Sequence, residues 1–306
     1  MTKTNLFLIG AAKAGTTALA EMLGNHSEIS PLAIKEPGHF CDDIYAEGFS
    51  ASYQKMLRWD EAQYFKADAL DQRHMAFVQG RENYDRLVAG AGEATYILDA
   101  STAYLPSVNA AVNIADYNSE AKIIVSLRNP STRAYSHYNM ARKYGKEQRS
   151  FLDAIKAEET LEKARWGWDE CYLELGIYAP QLERWFQHFS KDNIHVVWQD
   201  ELLAEQAATL QGISKFLGLT EELKPLAEEK HGAEVPKNKA VGKVLGGIGP
   251  AVASVLPEKI KASVKNIVLA KPEGMEEAAR SFLLRYFAPS IEALEKLLEK
   301  DLTHWK

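Results

Sequence analysis

Short, mainly apolar runs punctuate this chain at Leu6 to Ile9, Tyr96 to Leu98, Ile123 to Leu127 and His195 to Trp198. Apolar runs of this length, without strict polar alternation, are what a sheet covered on both faces requires, so they predict buried parallel strands. Between them the spacing turns helical. Leu182, Trp185, Phe186 and Phe189 recur at i, i+3, i+4 and i+7, and Leu210, Ile213 and Leu217 make a second stripe. A third, Ile291, Leu294, Leu298 and Leu302, follows Pro289, which suits a first helical turn and predicts a helix start there. The fold class is therefore α/β, a mostly parallel sheet flanked by helices on both faces. No linker interrupts the pattern, which predicts a single domain over residues 1–306.

The first apolar run leads straight into Gly10-Ala11-Ala12-Lys13-Ala14-Gly15-Thr16-Thr17. Gly10 and Gly15 keep the glycine spacing of the nucleoside-triphosphate loop, G-x-x-x-x-G-K-[ST], and make the fold P-loop-like. Thr16 stands where that loop has its lysine, and the lysine sits inside the turn at position 13. A strand-to-helix turn points free N–H groups and the positive end of the helix dipole at whatever lies over the helix start. The Thr16 and Thr17 hydroxyls and the Lys13 charge add to that field. The segment predicts an anion site for a phosphorylated donor other than a hydrolysed triphosphate.

A second anion motif follows the third run: Arg128-Asn129-Pro130-Ser131-Thr132-Arg133-Ala134-Tyr135-Ser136-His137-Tyr138. A triphosphatase needs an acidic residue near the end of such a strand to help hold magnesium. Arg128 is delivered there instead. Pro130 predicts a helix start, so Ser136 falls about two turns on, where it and the Arg128 guanidinium can share one phosphate. Two separate phosphate grips predict a donor with two separate phosphate groups.

Composition narrows the classes. With 46% hydrophobic and 25% charged residues the chain reads as an ordinary globular protein, and a net charge of −6 argues against a nucleic-acid binder. The two cysteines, Cys41 and Cys171, provide neither a disulfide framework nor metal-ligand spacing. No signal peptide or membrane-length apolar stretch is evident, so a cytoplasmic location without stable membrane insertion is expected. Residues 230–272 break the regularity, mixing Lys237, Lys239 and Lys243 with Gly242, Gly246, Gly247 and Gly249. A mobile flap over the active site is expected at about 230–272, in preference to a plain surface loop or an amphipathic membrane contact.

Taken together, the motifs resemble those of the sulfotransferases that use 3′-phosphoadenosine 5′-phosphosulfate (PAPS), in particular bacterial-type members related to the heparan-type enzymes. The loop resembles the family's 5′-phosphosulfate loop, and the run from Arg128 to Tyr138 its 3′-phosphate motif. Weaker matches are Lys35-Glu36-Pro37, Gly176-Ile177-Tyr178, Phe216-Leu217-Gly218-Leu219 and the leucine stripe ending near Trp305. The resemblance implies that Lys13, Ala14, Gly15, Thr16 and Thr17 bind the 5′-phosphosulfate and that Arg128 and Ser136 bind the 3′-phosphate. It implies that Lys13 also stabilises the leaving group, that Glu36 is the general base on the acceptor, and that no metal is required. A loop before the last helices closes on the donor in similar proteins, which makes Lys237, Asn238 and Lys239 candidate contacts. Ala100 aligns where some glycan-modifying relatives carry a lysine, which favours a small-molecule acceptor over a sulfated glycan.

His39, three residues beyond Glu36, is the rival base because its ordinary pKa lies nearer neutrality. Tyr45, Tyr53, Trp59, Tyr104, Trp166 and Trp168 are candidate walls of an acceptor pocket, although aromatics more often fill cores. Two other classes compete: a magnesium-dependent nucleotide kinase or triphosphatase with a variant loop, and a nucleotide-binding protein without catalysis.

Overall fold

The computed structural model describes residues 2–44, 49–162, 165–167, 170–226, 235–236, 269–270 and 273–306. In chain order its first elements are β1 (Leu6–Leu8), α1 (Thr16–Gly24), β2 (Ile29–Pro31), β3 (Ile34–Glu36), α2 (Ala51–Leu57), α3 (Glu61–Tyr64), β4 (Arg73–Met75) and α4 (Arg81–Gly90). The middle of the chain supplies β5 (Tyr96–Asp99), α5 (Ala110–Tyr117), β6 (Lys122–Leu127), α6 (Pro130–Lys143), α7 (Phe151–Glu159) and α8 (Tyr178–His188). Then come β7 (Ile194–Trp198), α9 (Gln199–Ala204), α10 (Gln206–Leu217), β8 (Val235–Pro236), β9 (Leu269–Ala270) and α11 (Glu277–Leu298).

The main sheet has the order β2-β5-β1-β6-β7, and every pairing in it is parallel. Its two faces divide the core as strand alternation demands. Phe7, Ile9, Ile97, Ile123, Val125 and Leu127 pack with side chains of α4, α5, α6, α8 and α11. Leu6, Leu8, Leu98, Ile124 and Val197 pack on the opposite face with α1 and α10. The expected strands are all present, and helices cover both faces. No helix among the described residues is long and apolar enough to cross a membrane.

Three features depart from the sequence reading. β2 is a three-residue edge strand ending in Pro31, too short to show periodicity, and its proline helps block further pairing at that edge. Glu36, the expected base, which no strand pattern marked, lies at the end of β3, which pairs in parallel with β4 as a separate small sheet. Pro289 does not start a helix. It lies inside α11, which begins at Glu277. Ala279, Leu283, Phe287, Ile291 and Leu294 form one buried stripe through the proline, while Pro289 itself is exposed, so the broken backbone bond faces water. Leu302, placed on that stripe by its spacing, lies beyond the helix end yet is fully buried.

The flap expected at 230–272, with Lys237, Asn238 and Lys239, lies outside the described residues apart from the antiparallel pair of β8 with β9.

Candidate active site

The site lies where β1 and β6 end side by side. Beyond β1 the chain turns through residues 9–15 before α1 begins. Ser126 of β6 pins that turn: its N–H donates to the Gly10 carbonyl at 2.8 Å, its carbonyl accepts from Ala11 N–H at 2.6 Å, and its hydroxyl donates to the Ala14 carbonyl at 2.6 Å. Ala14 N–H donates to the Ala11 carbonyl at 3.1 Å, so both main-chain groups of Ala14 are spent in shaping the loop. Gly15 caps α1 with φ at 84°, the left-handed region where a side chain would be strained. The first hydrogen bond of α1 runs from Leu19 N–H to the Gly15 carbonyl at 3.1 Å. The N–H groups of Thr16, Thr17 and Ala18 therefore precede the helical ladder, and the cap has no side chain to accept from them.

Around this uncapped helix start the structure gathers cations. Arg128, at the end of β6, donates from Nη1 to the Lys13 carbonyl at 3.2 Å and from Nε to Thr132 Oγ1 at 2.9 Å. Lys13 Nζ lies 3.4 Å from Met140 Sδ on α6. Thr132, Ser136 and Met140 succeed each other at i, i+4 and i+8, one face of that helix. Half-buried Ser136 thus sits between the residue that holds Arg128 and the residue that meets Lys13. Asn129 caps α6, accepting from Ser131 and Thr132 N–H groups at 3.0 and 3.2 Å, with Pro130 in the first turn as expected.

Burial pushes the Lys13 ammonium below its ordinary pKa of 10.5, and Arg128, Arg133 and Lys143 push it the same way. Like charges crowded at a partly dry helix start are destabilising until an anion enters. Arg133, which the sequence reading passed over, is fully buried on α6 and donates from Nη2 to the Cys171 and Tyr172 carbonyls. Its Nε and Nη1 have no partner among the described residues, and it adds fixed positive charge behind Lys13. His137 is kept neutral, its pKa driven well below the ordinary value by burial and then by Arg133, Lys13 and Lys146.

Glu36 approaches the same loop from β3. Its Oε1 accepts from Lys35 Nζ at 2.8 Å, and its Oε2 accepts from Thr102 Oγ1 at 2.7 Å and Thr102 N–H at 3.3 Å. Thr102 also abuts the phosphate loop: a Cβ added at Gly10 would lie 3.5 Å from the Thr102 carbonyl oxygen. One residue thus bridges the loop and the carboxylate. Glu36 lines a narrow crevice with Gly38, Met75, Phe77, Ala103 and Trp166.

His39 is held elsewhere. Its ring stacks on Tyr84 at 4.4 Å, its Nδ1 lies 3.1 Å from the Val78 carbonyl, and burial lowers its pKa. It is not among the residues lining the Glu36 crevice. Of the candidate aromatics, Trp166 lines that crevice and Tyr53 packs on Trp166 at 5.5 Å. Trp59 clusters instead with Tyr64 and Phe65. Tyr45 and Trp168 lie outside the described residues.

The turn after Glu36 hangs from a buried carboxylate, Asp99 at the end of β5. Hydroxyls of Tyr84, Ser101 and Tyr104 donate to it at 2.9, 2.7 and 2.8 Å. Ser101 Oγ and Tyr104 Oη in turn accept from the Gly38 and His39 N–H groups at 3.3 and 3.2 Å. Burial raises the Asp99 pKa to about 7 against the pull of the three hydroxyls. A folded-state pKa above the ordinary 3.8 means that the Asp99 contribution to stability is complete below that value and is lost as pH rises through about 7. Chemical-denaturation midpoints should therefore fall between about pH 4 and pH 8, and Asp99→Asn should flatten that slope. An unchanged slope in the variant would assign the titration to another group.

Comparison with known proteins places these residues in context. A family model described as "Sulfotransferase family" matches residues 5–222, a span holding both anion motifs and Glu36. The chain is 30% identical over 224 residues to a bifunctional heparan sulfate N-deacetylase/N-sulfotransferase 1 of Caenorhabditis briggsae, covering 71% of this chain and 23% of that protein. It is 25% identical over 224 residues to heparan sulfate glucosamine 3-O-sulfotransferase 3A1 of Mus musculus, covering 73% of this chain and 47% of that protein. The matches thus span under half the length of these curated relatives. A solved sulfotransferase from Alicyclobacillus acidocaldarius has a TM-score of 0.68 at 23% identity, covering 100% of this chain and 99% of that one, a likeness of fold.

Proposed function

This chain belongs to the sulfotransferase family, and from that membership we propose that it moves the sulfuryl group of PAPS to a hydroxyl or amine of a small-molecule acceptor. The observation that supports this most is the meeting of Lys13, Arg128 and the uncapped start of α1 in one cationic recess. Those donors fit a bisphosphate: like-charged, partly buried and without a capping side chain. PAPS, when bound, supplies the sulfuryl group and a bisphosphate leaving group. Gly15, Thr16 and Thr17 would hold its 5′-phosphosulfate, and Arg128 with Ser136 its 3′-phosphate.

Glu36 takes the proton of the acceptor as the acceptor–sulfur bond forms. Lys13 meets the negative charge that builds on the bridging oxygen as the sulfur–oxygen bond to the leaving group breaks. Adenosine 3′,5′-bisphosphate and the sulfated acceptor then leave. Positioning and electrostatic stabilisation dominate such an in-line displacement, as in phosphoryl transfer. Glu36 is assigned the base over His39 because it is tied to the phosphate loop through Thr102, whereas the His39 ring is stacked on Tyr84. The kinase or triphosphatase alternative is disfavoured because Arg128 directly follows β6, where such an enzyme needs an acid.

Titration calorimetry in EDTA tests the donor site. Adenosine 3′,5′-bisphosphate should bind without magnesium, and ATP with magnesium should bind more weakly. Tighter, magnesium-dependent ATP binding would sink the sulfotransferase reading.

A further inference from the structure

The segment Gly176-Ile177-Tyr178, which lies outside both anion motifs, packs against the corner that follows β6. Glu174–Gly176 form a 3₁₀ turn that leads into α8 at Tyr178. Tyr178 is fully buried, and its hydroxyl donates to the Arg128 carbonyl at 2.9 Å. Gly176 meets the same corner two residues on. A Cβ added there would lie 3.0 Å from Pro130 Cβ and 2.8 Å from the ring of Phe287 on α11. Any side chain would push the segment off the start of α6, so the glycine serves close approach.

The residue between Arg128 and Pro130 is held from a third direction. Asn129 Nδ2 donates to the Trp305 carbonyl at 3.1 Å. Trp305 is itself fixed: its Nε1 donates to Asp200 Oδ2 at 3.2 Å, and its ring meets those of Trp198 and Tyr178 at 5.4 and 6.5 Å between centroids. Arg128, Asn129 and Pro130 are thus gripped one after another by parts of the chain distant in sequence. The Arg128 guanidinium leaves this braced corner with Nη1 on the Lys13 carbonyl and Nε on the Thr132 hydroxyl. Those two bonds orient the guanidinium, and the Tyr178 bond holds the main chain behind it.

Resting on the reading that Arg128 and Ser136 hold the 3′-phosphate of the donor, we propose that Tyr178 is a positioning residue for that grip. Its hydroxyl fixes the Arg128 main chain, so that the guanidinium stands preformed for the phosphate. Without the hydroxyl a carbonyl at this buried corner loses its donor. The corner then relaxes, and ordering it again on binding subtracts from affinity. The loss falls chiefly on the 3′-phosphate, because the start of α1 is shaped by Ser126 and Gly15 instead.

The test measures the 3′-phosphate increment, the ratio of the dissociation constants of adenosine 5′-monophosphate and adenosine 3′,5′-bisphosphate, by calorimetry on the full chain in EDTA. Arg128→Met should cut that ratio by at least about 10-fold. Tyr178→Phe, which keeps the ring beside Trp305, should cut it by about 3- to 10-fold with affinity for the monophosphate unchanged. In the Arg128→Met background, Tyr178→Phe should change the ratio by less than about 2-fold, because no guanidinium is left to position. Equal weakening of both nucleotides would make Tyr178 a residue of general stability. That result, an unaltered ratio in Tyr178→Phe, or full additivity in the double variant overturns the proposal while the donor site stands. If the wild type binds the bisphosphate no better than the monophosphate, or Arg128→Met leaves the ratio intact, the 3′-phosphate reading falls and this proposal falls with it.

Discussion

Glutamine at position 36 should lower kcat by ~10²–10⁴-fold, the span general-base catalysis contributes, and leave affinity for adenosine 3′,5′-bisphosphate unchanged. The amide keeps the size of the carboxylate and an oxygen for the Thr102 hydroxyl to donate to, so the bridge to the phosphate loop survives. What it loses is the ability to take a proton from the acceptor. With Thr102 on its oxygen, the amide turns its nitrogen toward Lys35 Nζ, a donor against a donor, so some loss of stability should accompany the loss of turnover. The decisive comparison is His39→Ala, which removes a ring stacked on Tyr84 and should affect folding more than turnover. Stopped-flow or steady-state rates with a saturating acceptor separate the two. Near-normal kcat in Glu36→Gln together with its collapse in His39→Ala would transfer the role of base to the histidine.

Lys13→Met should have the second large effect. Removing a charge aimed at a developing oxyanion costs roughly 10²–10³-fold in kcat, and here bisphosphate affinity should fall as well because the same charge faces the ground-state donor. The unliganded protein should become more stable. Lys13 is pressed below its ordinary pKa by burial and by Arg128, Arg133 and Lys143, and an apolar side chain beside Met140 relieves that crowding. Greater stability with less activity is the signature of a residue kept for chemistry. A variant with a lower melting temperature than wild type, and with turnover intact, would show Lys13 to be a structural residue of the turn.

The sheet and the strand-to-helix turn after β1 were legible because each depends on local pattern. Apolar runs such as Ile123 to Leu127 have few other uses in a layered α/β domain, and Gly10, Lys13 and Gly15 follow directly on one. The site's supports were not legible, since they depend on distant pairings. Thr102 holds Glu36 from 66 positions away, and Ser126 holds Ala14 from 112. Nothing in a run of serines and threonines marks which hydroxyl will meet which neighbour. Arg133 was passed over for a different reason: an arginine in a helix ordinarily faces water, and only the fold reveals one wholly buried. Pro289 misled because its preference for a first turn is statistical, and a buried stripe running through it can outweigh the lost hydrogen bond.

The pin at Ser126 and the guanidinium at Arg128 stand two residues apart, one in β6 and the other directly after it. The proposed donor site is thus mounted on the main sheet. Glu36, the proposed base, stands instead on the separate two-stranded sheet of β3 and β4. Thr102, hydrogen-bonded to Glu36 and close against Gly10, couples the two, so a shift of the small sheet would move the proposed base relative to the donor loop.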